Sequence, residues 1–175
     1  MNSDLVIDFV NTLDLRPYKE ELTSPAALAG WLADRGVLAR GSRVTKADLE
    51  EAIQVREALR TLLAAQNGLE GDTAAATAVL DGAGRAAGLE ARFGEPARLE
   101  PARAGVRGAL GSILSEVHAG MVDGTWERMK ACRADDCRWI FLDTAKNRSR
   151  AWCSMRSCGN REKVRAYRER HASHH

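Results

Sequence analysis

The sequence predicts a mainly α-helical fold with one short β-hairpin and a small C-terminal unit organised by cysteine. Three observations carry that reading. Apolar residues recur at helical spacing through most of residues 1–125. Serine, threonine or aspartate stands ahead of several of these stretches and glycine after them, as helix ends require. The only four cysteines of the 175-residue chain lie in its last quarter, as two matched pairs.

The elements follow in order. A first helix is expected over Ser3 to Leu13, with Leu5, Val6, Phe9, Val10 and Leu13 on one side, ended by Pro17 and the charged Lys19-Glu20-Glu21 run. Ser24-Pro25 opens the second: serine is the N-cap and proline fits the first turn. Leu28, Trp31, Leu32 and Val37 supply its buried side, and Gly36 closes it. Thr45 caps a third helix of about 22 residues, with Asp48 three positions on as a near capping box. It runs through Leu49, Ile53, Leu59, Leu62 and Leu63 to the stop at Asn67-Gly68. Asp72 or Thr73 begins an alanine-rich fourth helix that ends between Gly82 and Gly88. Gly94, Pro96 and Pro101 interrupt residues 89–105, where a short strand pair is expected around Leu99. Val106 to Val117 reads as a fifth helix, and Met121 to Met129 as a short sixth.

Cys132 and Cys137 flank four residues, fifteen residues follow, and Cys153 and Cys158 flank four more. Four thiolates at this spacing suit one tetrahedral zinc ion that folds a segment too small for its own core. Disulfide or redox use and an iron–sulfur cluster are the alternatives. The N-terminal MNSDLVIDFV carries no secretory signal pattern, so a reducing, cytoplasmic setting is expected, where paired cysteines more often bind metal. A C-x-x-C pair, which a redox or cluster site would favour, is absent. Four sulfurs fill the tetrahedron, so the zinc is read as structural.

Between the pairs, Trp139 to Leu142 forms a short apolar strand and the Lys146-Asn147-Arg148-Ser149 turn leads away from it. A knuckle, a hairpin and a helix near the second pair make a treble-clef-like finger. Gly159 is expected to let backbone N–H groups approach a thiolate. A last helix is expected from Asn160 to His171, with Val164, Tyr167 and His171 facing the module. The two expected units are a helical domain over residues 1–125 and the finger over residues 126–175.

Charge divides the same way. Residues 126–175 hold 13 Lys and Arg against 6 Asp and Glu, and the remaining residues hold 13 against 18. A basic end on an acidic body suggests a polyanionic partner. The candidate phosphate contacts are Lys146, Arg148, Arg150, Arg161, Lys163, Arg165 and Arg168, with Arg170 nearby. The plainer alternative is a solvated helix face whose arginines pair with Glu162 and Glu169.

The stretch Cys158-Gly159-Asn160-Arg161 resembles the motif that names the CGNR zinc finger proteins. Cys132-x4-Cys137, the DTAKNRSR segment and Trp152-Cys153-Ser154-Met155 fit it as well, and the N-terminal DFVNTLD resembles the ABATE domain that precedes this finger in bacterial proteins. The resemblance implies zinc on the four cysteines and a bacterial, stress-linked regulator of transcription.

Two helices place polar groups on apolar faces. Asp8, Asn11 and Thr12 form a stripe on the first, and Arg56 falls among Leu49, Ile53, Leu59 and Leu63 on the third. A buried arginine needs an anion, so an Asp8–Arg56 contact is expected. An internal ion pair and a pocket for a small polar or anionic ligand are the two readings of this cluster.

No phosphate-binding loop, dinucleotide fingerprint or nucleophile elbow is present, and no carboxylate pair stands out. His118, the only histidine before residue 171, is expected to cap a helix end. The chain is therefore read as a non-enzymatic, zinc-containing transcription regulator. DNA is its expected partner, the helical domain senses a ligand or self-associates as a homodimer, and no apolar run is long enough for a membrane span. A protein-interaction module, or a small-molecule binder with a purely structural finger, is the alternative. The terminal HASHH carries no weight in this reading.

Overall fold

The computed structural model describes residues 2–172, so the last three residues of HASHH lie outside the description. The described residues form six helices and three two-stranded antiparallel sheets. None of these helices is long and apolar enough to cross a membrane.

Local chemistry sets the helix starts. In α1 (Ser3–Val10) the Asn2 carboxamide accepts from the Leu5 N–H at 3.3 Å. The next residues form a small hairpin, β1 (Leu13–Asp14) with β2 (Lys19–Glu20). Ser24 caps α2 (Pro25–Asp34), accepting from the Ala27 N–H at 3.1 Å with Pro25 in the first turn. Thr45 and Asp48 complete a reciprocal capping box on α3 (Lys46–Ala65). Asp72 caps α4 (Thr73–Ala87), which leads into β3 (Leu89–Arg92) and β4 (Arg98–Pro101). α5 (Gly105–Asp123) follows, then a 3-10 turn at Trp126–Arg128 and the hairpin of β5 (Met129–Ala131) and β6 (Ile140–Leu142). A π-helical turn at Met155–Gly159 passes into α6 (Asn160–Ala172).

Three expectations change here. The first helix stops at Val10 rather than Leu13: the Asn11 side chain is engaged by Ile140, the Thr12 hydroxyl donates back to the Phe9 carbonyl and accepts from Arg56, and Leu13 turns into the unexpected β1–β2 hairpin. The short helix expected from Met121 to Met129 does not exist. α5 runs on to Asp123, Gly124 ends it at φ +80°, and Met129 already belongs to β5. His118 consequently lies inside α5, five residues before its end, and cannot cap it.

One core serves body and finger. α1 lies against α3 and α5 and buries Leu5, Val6, Phe9 and Val10. Leu28 and Leu32 of α2, Val55, Leu59 and Leu63 of α3, and Leu110, Ile113 and Val117 of α5 close around them. Met129, Ala131 and Ile140 of the β5–β6 hairpin are fully buried in the same cluster. Full burial of a side chain such as Ile140 stabilises by about 1.5–3 kcal/mol. α5 can lie close to the end of α4 and to β4 only because residue 111 is glycine. A Cβ there would stand 2.7 Å from the Ala87 Cβ and 2.8 Å from the Pro101 Cβ.

Candidate metal centre and basic surface

β5 delivers Cys132, and a tight knuckle returns the chain through Cys137 to β6. The Cys132 N–H donates to the Trp139 carbonyl at 2.8 Å, and the Cys137 N–H to the Ala134 carbonyl at 3.0 Å. The π turn brings Cys158 back to Cys153. All four sulfurs lie within 4.8 Å of one another, and Cys137–Cys153 and Cys153–Cys158 are each 3.7 Å apart. Sulfurs bound tetrahedrally at about 2.3 Å from a zinc ion are roughly 3.8 Å apart, whereas a disulfide would bring two of them to about 2.05 Å. The four thiols are free, and all but Cys153 are buried. The geometry fits one zinc ion on Cys132, Cys137, Cys153 and Cys158, with no position left for water.

The sulfurs share their protons unequally. Among the metal-free thiols, Cys132 is pulled down to about 2, first by the Cys137 thiol, then by the Cys153 thiol and by the backbone N–H groups of Cys153 and Ala134. Cys137 is pushed up, chiefly because Cys132 takes the hydrogen bond, and Cys153 is pushed up to about 12, again with Cys132 as the first cause. A divalent cation replaces the protons that these groups share, so zinc uptake releases protons. The Arg161 guanidinium stands 3.6 Å from the Cys158 Sγ and 2.6 Å from Asp136, adding a positive charge beside a thiolate.

Gly159 has a different use from the one expected. Its N–H donates to the Ser154 carbonyl at 3.0 Å, and a Cβ there would meet the Met155 sulfur at 2.3 Å. The glycine lets the π turn close; the amides of Ala134, Cys153 and Trp139 serve the thiolates instead.

Several residues missed in the sequence hold the finger in place. Asp143 is fully buried and accepts from Lys130 Nζ at 2.8 Å and from the Ala145 and Arg150 N–H groups at 3.0 Å each. Burial alone would raise its pKa, but these hydrogen bonds outweigh burial and hold it below the ordinary carboxylate value. Asn67 donates to the carbonyls of Ala131 and Ala151, and Arg133 Nε to the Asn67 carbonyl. Arg60 donates to the carbonyls of Val10, Leu13 and Arg138, tying α1, β1 and the knuckle together. Its place one turn after Arg56, on the same buried face, was the available signal.

The polar cluster on α1 and α3 is rearranged relative to expectation. Asp8 does not meet Arg56: it is exposed and pairs with Arg35 at 3.2 Å. Arg56, 2% exposed, donates to Glu20 and Glu57 at 2.8 Å each and to Thr12 Oγ1 at 3.2 Å. The anion is Glu20, delivered by the unforeseen hairpin, and the internal ion-pair reading describes the cluster. Asn11 faces the finger, donating to the Ile140 carbonyl at 2.9 Å and accepting from its N–H at 2.8 Å.

The basic residues separate into groups. Arg150 turns inward, donating to the Cys153 carbonyl at 2.7 Å and lying 4.7 Å over the Phe141 ring, so it builds the finger rather than its surface. Arg148 pairs with Glu127, and Arg165 with Glu162 at 2.8 Å and Asp135 at 3.5 Å. Lys146, Lys163 and Arg168 are exposed and have no ion-pair partner among the described residues, and neither has Arg156, which the sequence reading did not select. Arg156, Arg161, Arg165 and Arg168 line one groove of about 490 Å³ with Asn160 and Glu169. Val164 and Tyr167 do not face the module: they are 49% and 57% exposed, and Tyr167 stacks on His171 at 3.9 Å. α6 stands out from the finger with little beneath it.

Comparison with known families matches this architecture. A model described as "Putative stress-induced transcription regulator", named ABATE, matches residues 3–124. A CGNR zinc finger model matches residues 128–171. No curated protein matches the chain. The chain belongs to the ABATE family and carries a CGNR zinc finger.

Proposed function

We propose that this ABATE-family chain is a zinc-containing transcription regulator that grips nucleic-acid phosphates with the exposed face of α6 and the π turn before it. The carrying observation is the groove in which Arg156, Arg161, Arg165 and Arg168 converge. Arg156 and Arg168 have no ion-pair partner there among the described residues, and Lys146 and Lys163 add exposed charge on the same unit. Surface pairs such as Arg165–Glu162 contribute little, so Arg165 exchanges its carboxylate for a phosphate at small cost. Arginine suits phosphate because its planar fork donates two parallel hydrogen bonds.

The zinc supplies structure: it folds the loop that presents this groove. Arg161 neutralises thiolate charge and bridges to Asp136, positioning the start of α6. The Arg56 cluster is satisfied by protein groups, which supports a body that acts as a platform rather than as a receptor at that point. No catalytic step belongs to this reading.

The test is fluorescence anisotropy of labelled duplex DNA with zinc-loaded protein across a salt series. About four phosphate contacts give a log–log slope near −4, and Arg156→Ala or Arg168→Ala each flatten it by about one. No binding at low salt, or slopes unmoved by both variants, would refute the proposal and favour an acidic protein partner.

A further inference from the structure

β3 is the outer strand of its sheet: it pairs with β4 alone, and β4 packs on α5. The register decides which backbone groups are used. Leu89 faces Pro101, which has no N–H, and the Ala102 N–H donates to the Gly88 carbonyl at 3.0 Å. The ladder bonds therefore fall on Glu90–Glu100 and Arg92–Arg98, and the N–H and C=O of Leu89 and Ala91 point away from β4. Among the described residues none takes them up. Glu90, Ala91 and Arg92 are exposed, and Phe93 is 93% exposed.

We propose that this edge pairs antiparallel with the same edge of a second copy of the chain, about a twofold axis at Ala91. The two Ala91 residues then exchange N–H···O=C bonds, Leu89 stands opposite the partner's Phe93, and Glu90 stands opposite the partner's Arg92, twice. Every outward backbone group of the strand gains a partner, and the apolar and charged faces of the two sheets stay in register. Sliding by two residues either way puts Glu90 against Glu90 or Arg92 against Arg92. Sliding by one turns Leu89, Ala91 and Phe93 to the wrong face. Only one register joins opposite charges.

Charges on a free edge commonly keep it unpaired. A run of one sign does so by repulsion, whereas opposite signs two residues apart attract an inverted copy. Within the chain the direct cross-strand neighbours are like-charged, Glu90 with Glu100 and Arg92 with Arg98; Arg92 pairs along its own strand with Glu90 at 3.1 Å and diagonally with Glu100 at 3.5 Å. The hairpin thus offers neither residue an opposite charge directly across the ladder, and a second copy exchanges the exposed Glu90–Arg92 pair, which contributes little, for two cross-strand pairs. Phe93 and Val122, both strongly exposed, border a groove of about 480 Å³ on the apolar face, which the extended sheet would help to cover. The proposal is independent of what the finger binds.

Sedimentation velocity of the full zinc-loaded chain, run up to about 1 mM, tests it, with circular dichroism to check folding. The parent chain is expected to dimerise reversibly. Glu90→Arg and Arg92→Glu each place like charges twice across the axis and should weaken the dimer about tenfold or more, and the double variant should restore it. Ala91→Pro removes an N–H that the hairpin does not use, so it should leave the fold intact and abolish the dimer. A chain monomeric throughout, a dimer indifferent to these variants, or a double variant that stays monomeric overturns the proposal. So does binding of an unrelated extended peptide at this edge in place of a second copy.

Discussion

Asn11→Ala should cost far more than a single polar contact on a helix end. The β5–β6 register leaves the Ile140 N–H and C=O facing away from β5, and the Asn11 carboxamide meets both, at 2.8 and 2.9 Å. It stands in for a neighbouring strand. Ile140 is 0% exposed and Asn11 8%, so truncation strands two buried backbone groups. Each unsatisfied group costs about 1–3 kcal/mol, giving a loss of roughly 2–6 kcal/mol for the two. Asn11→Asp keeps the acceptor but sets an oxygen against the Ile140 carbonyl and buries a charge, so it should be no milder at neutral pH. Urea unfolding at fixed zinc concentration measures the loss, and amide exchange at Ile140 locates it. A change below about 0.5 kcal/mol with Ile140 still protected would refute the reasoning, because the desolvated groups would then have found other partners.

Arg56→Met should destabilise by about 3 kcal/mol at pH 7, the low end for breaking a buried pair, since Glu20 and Glu57 keep some access to water. For Glu20, burial raises the pKa, but the hydrogen bond from Arg56 leads the effects that lower it overall. Its folded value lies below its unfolded one. The stabilisation is therefore present above the ordinary carboxylate range and lost as pH falls through the folded value. The gap between parent and variant should accordingly narrow on acidification; thermal melts at pH 7 and pH 4 check this, and a constant gap contradicts it. Zinc analysis should give one ion per chain, lost in Cys153→Ser. Chelation should lower the melting temperature of the helical signal by about 10 °C or more, in one transition rather than two, because β5 and β6 belong to the body's core. A body that melts unchanged after chelation would contradict that shared core.

What the sequence revealed, and what it hid, follows the range of each interaction. Ser24, Thr45 and Asp72 cap their helices through partners three residues away, so their starts were legible. The metal ligands were legible for the same reason: two pairs with short internal spacing. The end of α1 was not, because Asn11 and Thr12 are engaged by Ile140 and Arg56, far along the chain. The partner of Arg56 was hidden in the same way, as Glu20 reaches it only through a two-residue hairpin that local patterning did not announce. Periodicity also tells which residues share a face but not whether anything lies beneath it. Val164 and Tyr167 do share a face of α6, and it meets solvent. Met121, Val122, Trp126 and Met129 imitate one helix, and Gly124 at positive φ divides them.

The burial of Ile140 among α1 and its neighbours also bears on the order in which the chain acquires its shape during synthesis. Nascent chains usually complete their N-terminal units first. Here the first 124 residues emerge with Val6 and Val10 still awaiting a side chain encoded near the other end. That interior is complete only once Met129, Ala131 and Ile140 of the hairpin have joined it. Synthesis of the helical segment and completion of its core are thus separated by the length of the finger.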